Sequence, residues 1–278
     1  MKKWPFLFFT SFFLALTTSF AAKATAVDNR DSFPVPLITT LHHYTVANTH
    51  SHNDYEQPTP FWTAYNAQFG SIEADIFLVN GTLLVAHDEK ELRRGKRTLE
   101  DYYLKPLAGE IAKHPGHPYA DTGRQLQMLI DVKADSTAVL AALVTLLEKY
   151  PALSQTPSLI WVISGNRPPQ SMYASYPSFI AFDGVPATHY SPEALSRIVM
   201  MSDDLHSYTH WNGLDTIPAT DRKAIRAVIA LSHDLHLPIR FWDAPDFPNA
   251  WDQLMQLQVD FINTDHIRQL EAYLQAHP

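Results

Sequence analysis

The feature that most constrains the fold is a recurrence. Short strand-like runs at 44–49, 71–77, 127–132, 159–164, 179–182, 198–201, 238–242 and 261–264 are separated by stretches with helical periodicity. Alternation of this kind calls for parallel strands, each followed by a helix that crosses back over the sheet. Eight is the number that closes such a sheet on itself, so the expected fold class is α/β, a single (β/α)8 TIM barrel over 27–278. The clearest helical stretches are 136–150, with Val139, Leu140, Leu143, Leu146 and Leu147 on one stripe, and 220–235, with Ile225, Val228, Ile229 and Leu231. Stripes of this width are packing faces against the barrel.

The first residues do not belong to that pattern. Met1-Lys2-Lys3 precedes an apolar stretch from Trp4 to about Phe20, and Ala24-Thr25-Ala26 follows. Residues 1–26 therefore read as a secretory signal peptide and imply a secreted or periplasmic protein. Thr10, Ser11, Thr17 and Ser19 interrupt the apolar stretch, so no stable membrane anchor is expected after cleavage. The chain has no cysteine, which excludes a disulfide framework, a thiolate metal site, a cysteine nucleophile and lipid attachment through a thiol. Any metal must be held by oxygen and nitrogen. The formal charge is −8, and −11 once Lys2, Lys3 and Lys23 leave with the signal peptide. Such a chain repels phosphate backbones and anionic lipid, so nucleic acid is not an expected partner. The short cluster Arg93-Arg94 and Lys96-Arg97 reads as a solvated turn. The sequence is silent on oligomeric state.

In a barrel, chemistry belongs at the C-terminal ends of the strands, and polar residues gather there in this chain. Glu73 and Asp75 are two apart on a strand-like run and share a face. Two carboxylates so close perturb one another unless a cation or a shared proton intervenes, and oxygen donors suit calcium or magnesium. Asn80-Gly81 is a tight-turn signal ahead of a second apolar run that ends at His87. The resulting hairpin would return His87 toward the carboxylates, where an imidazole can protonate a leaving alkoxide.

These residues resemble a known group of enzymes. Residues 51–55, SHNDY, look like the SHNTY segment of phosphoinositide-specific phospholipases C. The Glu73-x-Asp75 then His87 pattern is shared with glycerophosphodiester phosphodiesterases. HSHNDY, SIEADIFLVNGTLLVAHD and TLEDYYLKPL are similar to a less characterised branch that includes the yeast mitochondrial-inheritance-like proteins. LIDVK at 129–133 looks like the third strand of that superfamily, with Asp131 where Glu is usual, which implies a metal closer to the strand or a bridging water. IRFWD and VDFINTD resemble its last two strands. The resemblance implies a metal-dependent phosphodiesterase acting on a small-molecule or lipid-head-group diester, glycerophosphodiester- or phosphoinositide-like. His52 would activate a hydroxyl or water and His87 would protonate the leaving oxygen. One divalent cation, calcium favoured over magnesium, would be held by Asn53, Glu73, Asp75 and Asp131. Lys133 and Arg167 would neutralise phosphoryl oxygens, Trp242 would stack on the substrate, and His50 would support the site beside the substrate.

Two other readings stay open. His50-x-His52 also resembles the first-strand pair of amidohydrolase-like metal-dependent hydrolases, with Asp265 as a late-strand ligand to a zinc-like metal. Against it, the fifth run ends in Ala181-Phe182-Asp183 and offers no ligand imidazole. The third reading is a barrel that binds a phosphorylated ligand without turning it over.

Overall fold

The computed structural model describes residues 43–93 and 97–277. The expected signal peptide at 1–26, together with Arg94 and Lys96 of the basic cluster, lies outside the described residues. Nine strands form one sheet: β1 (Thr49–Ser51), β2 (Ser71–Val79), β3 (Thr82–Val85), β4 (Leu126–Val132), β5 (Leu159–Gly165), β6 (Ile180–Gly184), β7 (Ile198–Asp204), β8 (Ile239–Trp242) and β9 (Ile262–Thr264). Their order is β8-β7-β6-β5-β4-β2-β1-β9, with every neighbour along this path parallel. A bridge between Arg240 and Phe261 joins the two ends, and the amides of Asp260 and Phe261 donate to the Ile239 carbonyl at 3.1 and 3.2 Å. The result is a nearly closed barrel of eight parallel strands with helices between them.

β3 stands off the ring and pairs antiparallel with β2. Asn80 (φ 50°) and Gly81 (φ 79°) supply the two left-handed residues that a two-residue hairpin loop needs. The expected hairpin is therefore present. The run at 44–49 behaves differently from expectation, because Val46–Asn48 is a 3₁₀ turn and the strand begins only at Thr49. Thr45 Oγ1 accepts from the Ala47 amide at 3.2 Å and Asn48 Oδ1 accepts from the Thr45 amide at 3.1 Å. These local side-chain bonds compete with the extended ladder and win. The helix Ser136–Leu147 is capped by Asp135, whose carboxylate accepts from the Thr137 amide at 2.9 Å. It stops before residue 150, and Pro151–Ser154 forms a separate turn of helix. The helix Ala219–Asp234 matches the 220–235 stripe.

Alternation along the strands divides the side chains into two populations. Ile72, Ala74 and Ile76 join Val139, Leu140, Leu143, Ile225 and Ile229 in the core between barrel and helices. Leu129, Ile160, Val162, Ala181, Val199 and Met200 form a separate apolar plug. Each large aliphatic side chain so buried contributes about 1.5–3 kcal/mol. Farther along the same strands the polar residues Glu73, Asp75, Ser164, Asp183, Ser202 and Arg240 are buried. Glu73 is in register with Leu129 of that plug, so the ionic residues adjoin apolar packing, an environment in which charge interactions are strong. Among the described residues, no helix is long and apolar enough to cross a membrane.

Candidate active site

The centre of the site follows from strand register. Glu73 and Asp75 share a face of β2, and Asp75 is paired with Asp131 of β4. One oxygen from each of Glu73, Asp75 and Asp131 lies within 4.8 Å of the others. Asp75 Oδ2 meets Tyr55 Oη at 2.8 Å, Lys133 Nζ at 2.9 Å and His87 Nδ1 at 3.1 Å. Its Oδ1 is buried and has no hydrogen-bond partner. A buried carboxylate oxygen without a partner is costly, and one that shares a 4.8 Å cluster with two other carboxylates fits a cation. Asn53, at φ 43°, places Oδ1 2.8 Å from the same Tyr55 hydroxyl, one proton away from Asp75.

The charges at this centre are unequal. Burial, reinforced by the charges of Glu73 and Asp131 and opposed by Lys133, pushes Asp75 up to about 7. Burial also raises Asp131, with Lys133 opposing and Glu73 adding. For Glu73, burial works upward, but the hydrogen bond from His50 and the Arg240 charge hold the carboxyl well below the usual range. Lys133 bridges Asp75 and Asp131, at 2.9 and 3.4 Å, and although burial lowers it, the two acids raise it on balance. With all three carboxylates ionised, as a bound cation would hold them, Lys133 and Arg240 leave one negative charge in excess, and the donors are hard oxygens. They fit a divalent cation of the calcium or magnesium kind.

The imidazoles fall into three environments. His52 Nδ1 is 2.8 Å from Asp265 Oδ1. Burial lowers its basicity, but the Asp265 hydrogen bond and the charges of Glu73 and Asp265 outweigh it and raise the pKa. His87 is exposed, with Nδ1 turned to Asp75 Oδ2, so that its Nε2 is the ring nitrogen left for a ligand. His50 is fully buried. Its Nδ1 is 2.7 Å from Ser71 Oγ, and its Nε2 is 2.7 Å from Glu73 Oε2 and 2.5 Å from Arg240 Nη1. Burial, then the Arg240 charge, lowers it to about 3, so the ring is neutral. The expectation that His50 stands beside the substrate is corrected: both ring nitrogens are used inside the protein, and it supports Glu73 from behind. The same geometry leaves the amidohydrolase-like reading without its His-x-His ligand pair, and Asp265 holds His52 instead.

The remaining expected residues separate as well. Lys133 is at the carboxylates. Arg167 donates from Nη1 to the Asp183 carbonyl and stands apart, past the end of β5. Trp242 is 40% exposed at the end of β8, with its ring free at the rim. Sequence reasoning missed Arg240, which donates to Glu73 at 2.8 Å, Asn263 at 3.2 Å and Ser202 at 3.2 Å. A lone arginine inside the apolar run Ile239-Arg240-Phe241 was the available signal, since a charge on a buried strand must be paired. It also missed Tyr55 as the link between Asn53 and Asp75. Asp54, central in the SHNDY segment, faces away: it accepts from Ser51 Oγ, the Phe61 amide and Tyr103 Oη at 2.8, 2.6 and 3.0 Å. It pins the loop that carries the site, and burial pushes it up to about 6.

The profile of the AIM6-like phosphodiesterase domain matches residues 39–153, which include His52, Asn53, Glu73, Asp75, His87, Asp131 and Lys133. The profile of the Glycerophosphoryl diester phosphodiesterase family matches residues 238–267, which include Arg240 and Asp265. The chain thus resembles the AIM6-like phosphodiesterase domain over its first matched segment and the glycerophosphoryl diester phosphodiesterase family over its second. Among AIM6 relatives, it is 27% identical over 264 residues to the Altered inheritance of mitochondria protein 6 homolog of Arthroderma benhamiae, with 81% of this chain and 82% of that protein aligned. To Altered inheritance of mitochondria protein 6 of Kluyveromyces lactis it is 24% identical over 307 residues, covering 82% of this chain and 72% of that one. The fold is similar to that of a glycerophosphodiester phosphodiesterase from Parabacteroides distasonis, with a TM-score of 0.53 at 14% identity over 82% of this chain and 97% of that chain. A putative glycerophosphodiester phosphodiesterase from Galdieria sulphuraria has the same TM-score and identity, over 82% and 96%.

Proposed function

We propose that this protein is a metal-dependent phosphodiesterase that hydrolyses a glycerophosphodiester- or phosphoinositide-like substrate with two imidazoles, His52 as general base and His87 as general acid. The observation that carries this reading is the cluster of three carboxylates with an imidazole on one of them, His87 at Asp75. Asp265 at Nδ1 fixes the tautomer of His52 that keeps Nε2 free to take a proton from water. The water oxygen bonds to phosphorus, the bond from phosphorus to the leaving alkoxide breaks, and His87 gives that oxygen its proton. The products are a phosphomonoester and an alcohol. Glu73, Asp75 and Asp131, with Asn53 beside them, would hold the divalent cation, for which calcium is the favoured choice. When bound it supplies neutralisation of the phosphate and of the charge that develops on it. Lys133, already at the carboxylates, lies where it can pair with a phosphoryl oxygen. Residues 1–26 place this activity outside the cytoplasm in our reading, on their composition alone.

The test compares a diester with a good leaving group, bis-p-nitrophenyl phosphate, with glycerophosphocholine, each over a calcium and a magnesium titration. Turnover should require one of these ions. His52→Ala should lower both activities about a hundredfold or more, whereas His87→Ala should be much more damaging for glycerophosphocholine. Metal-independent turnover, or no cleavage of any diester, would overturn the proposal.

A further inference from the structure

The leaving alcohol needs a place to sit, and the fold provides one beside the carboxylates. A cavity of about 630 Å³ opens among the segments that follow β4, β5 and β6. Its inner wall is Gly165, at φ 66°. A Cβ there would lie 2.0 Å from Asp131 Oδ1 and 2.7 Å from the Val132 carbonyl. Asp131 thus lies directly against the backbone of a residue that lines the cavity, which makes the cavity a neighbour of the carboxylates.

The lining sets the chemistry. Asp135, Asn166, Arg167 and Thr188 make it largely hydrophilic, with Val185 and Tyr190 among its apolar members. Gln170 is occupied in holding the wall together, donating to the His189 carbonyl and accepting from the Ser191 amide, both at 3.0 Å. Tyr173 is locked by stacking on Phe182 at 3.7 Å between ring centres. Arg167 is different. Its Nη1 is anchored on the Asp183 carbonyl, and no carboxylate pairs with it among the described residues, in a chain whose net charge is −8. Lys133 and Arg240 serve the metal-site carboxylates, whereas Arg167 stands one strand further round, forms no carboxylate salt bridge among the described residues, and has the buried Asp183 within its field.

We infer that this cavity is the subsite for the alcohol half of the diester, and that it takes a hydrophilic, hydroxyl-bearing alcohol with a second anionic group, which pairs with Arg167. The inference rests on the phosphodiesterase reading above and narrows its substrate class. The few apolar groups of this lining offer an acyl chain little to bury against, and a cationic alcohol such as choline would face the arginine.

The experiment measures kcat/KM for glycerophosphocholine, glycerophosphoinositol and glycerophosphoinositol 4-phosphate, with bis-p-nitrophenyl phosphate as a diester that needs no such subsite. The wild type should prefer the phosphorylated inositol diester to the choline diester by about tenfold to a hundredfold, the range of one charge-assisted pairing. Arg167→Gln should collapse that ratio. Thr188→Trp, which fills the cavity from an exposed wall position, should lower activity on both inositol diesters relative to bis-p-nitrophenyl phosphate. If bis-p-nitrophenyl phosphate is cleaved but the ratio is near one, or survives Arg167→Gln, the subsite is refuted while the activity stands. If no diester is cleaved, the activity itself is refuted.

Discussion

At the scale of single residues, the site depends on one position that carries no side chain. Gly165 adopts a left-handed φ, which costs an L-residue about 1–2 kcal/mol, and its missing Cβ is what lets Asp131 Oδ1 stand where it does. Gly165→Ala should therefore displace the Asp131 carboxylate. We expect calcium affinity, measured by titration calorimetry, to fall tenfold or more while the melting temperature drops by only a few degrees. Unchanged affinity would remove Asp131 from the metal set. By contrast, Glu73→Gln would be a poor test of metal binding, because Glu73 also neutralises buried Arg240 and the substitution disturbs the fold.

At the scale of elements, the ring closes through contacts between the last helices and strands. His233 lies in the last turn of the helix Ala219–Asp234, and its Nε2 is 2.8 Å from Asp260 Oδ2. The same carboxylate oxygen accepts from the Ile239 amide at 2.8 Å, tying this helix to β8 beside the junction with β9. The Asp260 hydrogen bond, against the opposing effect of burial, raises the pKa of His233. A histidine raised by folding contributes stability that is fully present below its unfolded pKa of about 6.5 and is lost as pH rises through the folded value. Urea denaturation of wild type and His233→Gln should therefore show a stability difference that is largest near pH 6 and shrinks toward pH 9. A difference independent of pH would mean that His233 is not the charged partner.

At the scale of the whole molecule, Arg240 is the contact that draws the barrel together. From β8 its guanidinium reaches Glu73 on β2, Asn263 on β9 and Ser202 on β7, with His50 of β1 against it. Both members of the Arg240 and Glu73 pair are buried, so removing one leaves the other uncompensated. Arg240→Met should cost about 3–5 kcal/mol in metal-free denaturation, and the double variant with Glu73→Met should regain most of it. A double variant no more stable than Arg240→Met would show that arginine packing, rather than charge pairing, closes the barrel.

What the sequence determined by itself is what short-range periodicity encodes. The alternation of strand and helix signals specified the barrel. The two-residue period put Glu73 and Asp75 on one face, and Asn80-Gly81 returned His87 to Asp75. Where a local signal competed with another local signal, at Thr45 and Asn48, the expected strand was shortened. Tertiary structure alone decided the partners. His52 and Asp265 are 213 residues apart, and Glu73 and Arg240 are 167 apart. No local preference records such pairs, because they exist only once the ring has closed and brought β1 and β2 beside the segments that end the chain. The same closure buried His50 on β1 and left His52, one residue past the end of that strand, exposed enough to act, which separates the supporting from the catalytic imidazole that the sequence had assigned by motif alone. Burial and pairing distinguish them, and both are properties of the closed barrel.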